Sequence, residues 1–366
     1  MKRLLTYTLL MITMLVSWMG CDVHEFPEEH RNLVPFELHL AFDRELPLYK
    51  EIVYTRSTEE EEMAMAAAHD IRYIIKAYRV DNSRSDNRQE DSTYVFTKSD
   101  IANLDYTARF DIREGTYCFR VWADYVDAGS ERDKYYTTDD FSKIMLSDRN
   151  NHPGSNDYRD AFRGETTATV VDKHYYTDVV AKSIDNTARV EMRRPMGKFS
   201  IVSTDVDVFL TRVEEMMKEQ GLLVGSDHPL GQTAKEQLLQ NIKWSDYQVI
   251  IRYNMFMPCS FNNFTNKPAD SWTGMSFRST MQPQEDNTIR IAFDYIFVNG
   301  NETTINLSVE VYDSNGILLS SSRPIDVPIV RSKHTLVSGA FLTTKASGGV
   351  SISPGYEGDD YNIEIK

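Results

Sequence analysis

Apolar and polar residues alternate with a period of two along much of the chain beyond residue 32. Phe36, Leu38, Leu40 and Phe42 alternate with polar or small residues, so an extended segment here has one apolar face. The same alternation recurs in five later segments, at residues 71–75, 117–121, 249–253, 289–295 and 305–311. Turn sequences such as residues 313–316, Asp-Ser-Asn-Gly, separate the segments. The pattern predicts antiparallel β-sandwiches and disfavours a parallel α/β enzyme fold.

Three short helices are predicted between the strands, near residues 58–68, 204–217 and 233–242. Thr58 with Glu61, and Thr233 with Glu236, have the spacing of a capping box, which satisfies backbone N–H groups at the start of a helix. In the middle segment the apolar residues follow helical spacing, with Asp205 or the residue before it as the cap. We expect the apolar side chains of this middle helix to pack against a core.

The length and composition indicate two domains. A chain of 366 residues, of which 41% are hydrophobic, is long enough for two cores. Near residues 182–188 a turn-rich segment gives way to a new strand, expected over residues 188–204. We therefore predict an all-β protein of two antiparallel β-sandwich domains with short helical insertions, over residues 33–186 and 187–366.

The charge balance disfavours one class of partner. The chain has 40 Lys and Arg residues against 55 Asp and Glu residues, which gives a formal net charge of −15 at pH 7. Nucleic acids and anionic lipid surfaces attract positive charge, so electrostatic binding of this acidic chain to either of them is disfavoured. We expect no nucleic-acid partner.

The first residues have the layout of a signal peptide. Lys2 and Arg3 precede an apolar run over residues 4–16, which is too short to span a bilayer comfortably and ends shortly before a cysteine. We predict a signal peptide over residues 1–20.

The residues around position 21 resemble the lipobox of bacterial lipoproteins. Gly20 is the small residue directly before Cys21, although Trp18 stands where an aliphatic residue is usual. The resemblance implies that the Cys21 thiol is acylated with diacylglycerol, becomes the new N-terminus and anchors the protein, with palmitate as a typical acyl chain. The alternative is an ordinary secretory signal cleaved near Gly20, with Cys21 an incidental thiol.

Residues 21–32 are acidic and interrupted by proline, which indicates a tether. An acidic stretch directly after the lipidated cysteine resembles a surface-export signal of Bacteroides-type lipoproteins. This resemblance implies a surface-exposed lipoprotein of the cell outer membrane.

The search for catalytic and metal-binding chemistry is negative. The sequence has no Gly-rich phosphate loop, no HExxH, CxxC or GxSxG motif, and no histidines at metal-ligand spacing. Cys21, Cys118 and Cys259 are too few for a disulfide framework or a four-cysteine zinc site, and a free thiol is expected at Cys118 and Cys259. The acidic pairs at residues 139–140 and 359–360 are expected to be solvated. We therefore predict no catalytic residue, no metal, no cofactor and no enzymatic activity.

Several runs of the chain resemble one protein family. They lie at residues 115–126, 133–136, 158–164, 253–261, 339–343 and 356–363. On these runs, the first of which ends in Trp-Ala-Asp-Tyr-Val, the chain resembles the fimbrillin superfamily of Bacteroides-type bacteria, especially the FimB-like lipid-anchored minor subunits of type V fimbriae. The resemblance covers most of residues 33–366. The aromatic and charged residues of these runs include Trp122, Tyr125, Tyr135, Tyr136, Arg159 and Asp160. They suit an aromatic core with a polar edge, and a structural role is expected for them.

The resemblance implies two transthyretin-like β-sandwiches and a structural role in a fimbria. Subunits of that family are exported as lipoproteins and join by β-strand addition: a protease removes the first strand of a stalk subunit, and a strand of a neighbour fills the groove. Arg56, behind the first strand, resembles such a processing site, whereas an anchor keeps its lipidated N-terminus. We expect an anchor or accessory subunit that joins a fimbria to the outer membrane, with other fimbrial subunits as partners. A processed stalk or tip subunit is the alternative.

A surface glycan-binding lipoprotein is the alternative from another functional class. It would also be acidic, lipidated and built of β-sandwiches, and its exposed aromatic side chains would stack on sugar rings. In that case Trp122, Trp244 and Trp272 would line one exposed platform. Alternation with apolar neighbours favours burial of the aromatic residues instead.

Overall fold

β-Strands dominate the computed structural model, which describes residues 33–42, 68–80, 90–174, 185–219, 242–284, 287–344, 352–357 and 360–365. The prediction of an all-β protein with mainly antiparallel sheets is confirmed. Several predicted features lie outside the described residues: the signal peptide, Cys21, the tether and Arg56. Most residues of the helices predicted near 58–68 and 233–242 also lie outside them.

Two sheets form the N-terminal sandwich. Sheet 1 contains β1 (Leu33–Phe42), β4 (Tyr106–Arg113) and β9 (Thr187–Met192), with β1 in the middle. Sheet 2 contains, in spatial order, β3 (Glu90–Lys98), β2 (His69–Arg79), β5 (Gly115–Asp127) and β8 (Ala161–Val170). Apolar side chains of the two sheets, including Leu38, Ile75, Phe119 and Val190, form one buried core.

Two further sheets form the C-terminal sandwich. Sheet 3 contains, in spatial order, β15 (Gln282–Pro283), β16 (Ile289–Phe297), β10 (Met196–Ser203), β20 (His334–Gly339), β22 (Asp360–Ile365) and β21 (Ile352–Glu357). Sheet 4 contains β14 (Ser276–Ser279), β11 (Gln248–Tyr253), β17 (Glu302–Tyr312) and β18 (Leu318–Ser321), and β19 (Ile325–Val330) also pairs with β17. The alternating apolar residues of β11 and β17, such as Ile251 and Val309, are buried with Phe199 and Ile201 of β10.

One α-helix follows β10 in the described part of the chain. This helix, α1 (Val206–Glu219), confirms the prediction for residues 204–217. Phe209 and Leu210 are buried on its inner face. The carboxylate of Asp205, one of two predicted caps, accepts hydrogen bonds from the backbone N–H groups of Leu342 and Thr343, at 3.2 and 2.8 Å. Asp205 therefore fixes the 339–343 run to the start of the helix.

A fifth sheet joins the two halves of the chain. Sheet 5 contains, in spatial order, β13 (Lys267–Trp272), β12 (Met257–Asn262), β7 (Ile144–Leu146) and β6 (Tyr136–Thr137). β6 and β7 come from the N-terminal half and β12 and β13 from the C-terminal half. The halves therefore share backbone hydrogen bonds in addition to the covalent chain.

The strand expected over residues 188–204 is two strands in different sheets. β9 pairs in parallel with β1 of the N-terminal sandwich, whereas β10 pairs with β16 and β20 of the C-terminal sandwich. Pro195 lies between them, and proline has no N–H group with which to continue a strand ladder. The segment predicted to open the second domain at residue 187 therefore contributes its first strand, β9, to the N-terminal sandwich.

The alternation at residues 289–295 is interrupted in β16, in which every residue from Ile289 to Phe297 is buried. A β-bulge interrupts the pairing of β10 with β16, and beyond a bulge the two faces of a strand exchange. Arg290 and Phe293 consequently lie on one face, with the guanidinium carbon 5.0 Å from the ring centre. Asp294 faces the sandwich core instead, where the hydroxyl group of Tyr253 donates to its carboxylate at 2.6 Å.

Candidate functional site

The first strand occupies the middle of its sheet. β1 pairs antiparallel with β4 over residues 33–40 and parallel with β9 over residues 37–42. Both of its backbone edges are therefore used, as predicted for a strand that belongs to the first sandwich.

The buried side chains of β1 fill a groove between β4, β9 and sheet 2. They are Val34, Phe36, Leu38 and Leu40, which are 6%, 1%, 0% and 2% exposed. Phe36 contacts Phe110 of β4 and Phe119 of β5, with ring centres 5.7 and 5.0 Å apart. Without β1, this groove would expose both an apolar floor and two unpaired strand edges.

The predicted lipidation and processing residues flank β1 in the sequence. Cys21 precedes the strand, and Arg56 lies between the end of β1 at Phe42 and the start of β2 at His69. A cut after Arg56 would separate β1, together with everything before it, from the rest of the chain. Because both residues lie outside the described part of the chain, lipidation at Cys21 and processing at Arg56 stay predictions.

The Trp-Ala-Asp-Tyr-Val run lies in β5 and contributes to two cores. Trp122 is 0% exposed, and its ring centre lies 5.6, 6.4 and 6.5 Å from those of Tyr136, Phe261 and Phe297. These three residues belong to β6, β12 and β16, so Trp122 lies where the two halves of the chain meet. Tyr125 is buried in the N-terminal sandwich. The structural role predicted for this run is confirmed.

Asp124 of the same run forms a buried ion pair. Arg72, opposite it in β2, donates from Nε and Nη2 to the two carboxylate oxygens, at 2.9 and 2.8 Å. Arg72 also donates to Oδ1 of Asp133 at 2.9 Å and to the carbonyl oxygen of Glu131 at 2.7 Å. Arg72 and Asp124 are 2% and 0% exposed. Arg72 therefore holds the loop after β5 against sheet 2.

Sequence reasoning missed a second buried polar cluster, where residues 152–160 enter the C-terminal sandwich. We call these residues the junction segment. Asp294 of β16 accepts a hydrogen bond from Arg159, and its Oδ2 lies 2.6 Å from Nε2 of His152. The N–H group of Ser155 donates to the carbonyl oxygen of Phe293 at 2.8 Å. Asp294 lies 135 positions beyond Arg159, so no local sequence signal could have identified this contact.

The tryptophan residues do not form the platform that the glycan-binding alternative requires. Trp122 is buried, whereas Trp244 stacks on Phe209 of α1 with ring centres 6.1 Å apart. Trp272 lies in β13, where the guanidinium carbon of Arg149 is 5.9 Å from its ring centre. Because Trp122 is buried, the three side chains do not line one exposed platform.

Metal-binding geometry is also absent from the part of the chain that the structure describes. No group of three or more His, Cys, Asp or Glu side chains there could hold a metal ion. Asp140 accepts hydrogen bonds from the N–H and hydroxyl groups of Ser142, both at 2.7 Å, and these bonds lower the pKa of its carboxyl group. Asp359 lies outside the described residues. Among the described helices, none has the length and apolar character needed to cross a membrane.

Cys118 and Cys259 are free thiols, as predicted. Cys259 is 0% exposed, and burial raises the pKa of its thiol to about 11. Cys118 is half-buried in β5, and burial raises its pKa as well. Since the thiolate is the reactive form, both residues are poorly suited to redox or nucleophilic chemistry.

We expect Cys259 to resist thiol reagents at neutral pH until the protein unfolds, because it is buried and protonated. A variant with Cys21 and Cys118 replaced by serine leaves Cys259 as the single thiol. Its labelling rate should be far slower in buffer than in denaturant. Equal rates in the two conditions would contradict burial of Cys259.

Comparisons with known proteins give one family match. The model of a family of unknown function, DUF6562, matches residues 32–366 of the chain. In a search of curated proteins, no match reached significance.

Solved structures with a similar fold include the fimbrial anchor protein Mfa2 from Porphyromonas gingivalis. It is 11% identical, with a TM-score of 0.34, and the alignment covers 79% of this chain and 82% of that chain. A Bacteroides eggerthii protein described as a candidate cell adhesion protein is 12% identical, with a TM-score of 0.39 and coverage of 92% and 95%. A Bacteroides thetaiotaomicron protein described as a candidate polysaccharide-binding protein is 10% identical, with a TM-score of 0.39 and coverage of 78% and 79%.

Proposed function

The chain belongs to the family DUF6562, and we propose that it is a lipid-anchored, surface-exposed fimbrial subunit that joins a fimbria to the outer membrane. The observation that supports this proposal most directly is the position of β1. The first described strand is apolar, is paired on both edges and follows the predicted lipidation residue, Cys21, after a short acidic segment. An anchor needs such a folded domain fixed to the membrane through its N-terminus.

The length of the tether limits how far the folded part can lie from the membrane. From Cys21 to Leu33, the first residue of β1, the chain makes 12 residue steps. At about 3.3–3.6 Å per residue, these steps span at most about 43 Å. The N-terminal sandwich would therefore lie close to the bilayer.

Retention of β1 distinguishes an anchor from a processed subunit. A cut after Arg56 would leave the lipid on a fragment that contains β1. Only non-covalent strand contacts would hold this fragment to the rest of the protein. A fimbria transmits pulling forces to its base, and an uncut backbone resists them through covalent bonds. The anchor proposal therefore requires that the backbone stays uncut after Arg56.

The proposed partners are other fimbrial subunits, joined by β-strand addition. An added strand gains backbone hydrogen bonds along an unpaired edge and places alternate side chains in pockets. In a subunit that had lost its first strand, the incoming strand would need apolar residues at the positions of Val34, Phe36, Leu38 and Leu40.

Replacing Cys21 with alanine tests the lipid anchor. We expect the variant to partition into the aqueous phase of a detergent separation and to be shed from cells, because it lacks acyl chains. A Cys118→Ala variant is the matched control and should stay with the membrane, since that thiol lies within β5. Membrane retention of the Cys21 variant would contradict lipidation at this residue.

N-terminal analysis of the protein from its native cell surface separates the anchor from the stalk. An acylated, blocked Cys21 supports the anchor. A new N-terminus at Ser57 would refute it and would assign the chain to the processed subunits.

A further inference from the structure

A lysine and a carboxylate meet between the junction segment and sheet 3. Lys198 of β10 is 0% exposed, and its Nζ lies 2.8 Å from Oδ1 of Asp157 in the junction segment. The rings of Phe293 and Tyr295 flank the amine, with centres 4.2 and 5.3 Å from Nζ. The side chain of Asp157 is 35% exposed. The amine is thus enclosed, whereas the carboxyl group has one side open to water.

Two further groups act on this pair. Tyr295, opposite Lys198 in β16, donates its hydroxyl hydrogen to the same Oδ1 of Asp157 at 3.0 Å. Asp160, at the end of the junction segment, is 4% exposed, and its charge acts on Lys198. Burial lowers the pKa of the Lys198 amine. Burial also raises the pKa of Asp160, although its pairing with Arg194 opposes that shift. The surroundings of Lys198 therefore disfavour the charged form of its amine.

We propose that Lys198 and Asp157 condense to an intramolecular amide bond, which makes this pair a self-modification site. One proton passes from the lysine ammonium group to the Asp157 carboxylate, the lone pair of Nζ then attacks Cγ, and a C–N bond forms. Tyr295 polarises Cγ through its hydrogen bond. The proton that the nitrogen loses is transferred to the departing hydroxyl group. One C–O bond breaks and one water molecule leaves through the open side, so the step needs no oxidant, reductant or cofactor.

Burial and fixed geometry both favour this reaction. A lysine charge away from water is costly even when it is paired, and a neutral amide removes both charges of the pair. Two groups held in contact by a fold react as if each were present at very high concentration.

The bond would connect the two halves of the chain. Asp157 lies before β8 of the N-terminal sandwich, and Lys198 lies in β10 of the C-terminal sandwich. A covalent link here would hold the junction segment in place when the two sandwiches are pulled apart. This inference does not depend on the proposed function, because it follows from the contacts of Lys198 alone.

A second buried lysine in the described residues provides a matched control. Lys76 of β2 is 7% exposed, and its Nζ lies 3.0 Å from Oε2 of Glu90. The side chain of Glu90 is 41% exposed and accepts a hydrogen bond from Thr93, whose hydroxyl group is a weaker acid than that of a tyrosine. No amide is expected at this pair.

Tryptic mapping of the protein isolated from cells tests the proposal. We expect a branched peptide in which residues 150–159 are joined to residues 194–212, because trypsin does not cleave after an acylated lysine. Its mass should be the sum of the two peptides less one water molecule. Recovery of residues 150–159 only as a linear peptide, with cleavage after Lys198, would overturn the proposal whether or not any variant folds.

Variants then locate the bond. Lys198→Arg and Asp157→Ala should each abolish the branched peptide, and Lys76→Arg should leave it unchanged. A branched peptide that persists in Lys198→Arg would show that another residue forms the link and would also overturn the assignment.

Discussion

Replacing Asp124 with alanine should lower the free energy of unfolding by about 3–5 kcal/mol, because the change leaves the buried charge of Arg72 without its main counter-charge. The two carboxylate oxygens accept both Nε–H and Nη2–H of that guanidinium group, and neither side chain contacts bulk water appreciably. Asp133 would remain as a partner of Arg72, but its side chain is 30% exposed, and water weakens its attraction. Urea denaturation followed by tryptophan fluorescence measures the change.

Two control variants separate buried charge from general disruption. Glu37→Ala removes the carboxylate of an exposed pair with Arg109 and should change stability much less than Asp124→Ala, because water and salt screen an exposed pair. Replacing Arg72 and Asp124 together with leucine should cost less than the Asp124 change alone, since no uncompensated charge remains at that pair. If Asp124→Ala were no worse than Glu37→Ala, the buried ion pair would not be a source of stability.

The sequence predicts β1 well because the signal for this strand is local. Burial of one face repeats every two residues, and Phe36, Leu38 and Leu40 have this spacing and are buried. The partners of Asp124 and Asp294 could not be predicted in the same way. Arg72 lies 52 positions from Asp124, and its pairing follows only from the register of two strands.

β2 and β5 depart from strict alternation of apolar and polar residues, and the physical reason can be recognised in the sequence. Sheet 2 is covered on both faces, by sheet 1 on one side and by sheet 5 and β16 on the other. Ile74 and Trp122 belong to this second core, and they interrupt the alternation with apolar residues at positions where a half-exposed strand would have polar ones. Continuous apolar runs of this kind indicate a strand buried on both faces. The bulge in β16 has no such signal in the sequence.

A chain that begins at Ser57 should lose the stability of the N-terminal sandwich, and this is the largest effect that the structure predicts. Removal of β1 takes away four buried side chains at about 1.5–3 kcal/mol each, or about 6–12 kcal/mol in sum. A sum of this size is comparable with the whole stability of a typical domain, about 5–15 kcal/mol. It also leaves the facing edges of β4 and β9 unpaired. We expect the truncated chain to bind hydrophobic dyes and to aggregate.

Adding a synthetic peptide of residues 33–42 to this truncated chain should restore a cooperative unfolding transition, because the peptide can re-form both strand ladders and refill the groove. A control peptide with Phe36 and Leu38 replaced by aspartate keeps the backbone donors and acceptors but cannot bury its side chains, so it should not restore the transition. Rescue by both peptides would mean that backbone pairing alone holds β1. Full stability of the truncated chain without any peptide would mean that β1 is dispensable, and the strand that an anchor must keep would then lie elsewhere. Rescue by the native peptide alone would establish the groove as a site that selects its strand by alternating apolar side chains, which is the property that strand addition between fimbrial subunits requires.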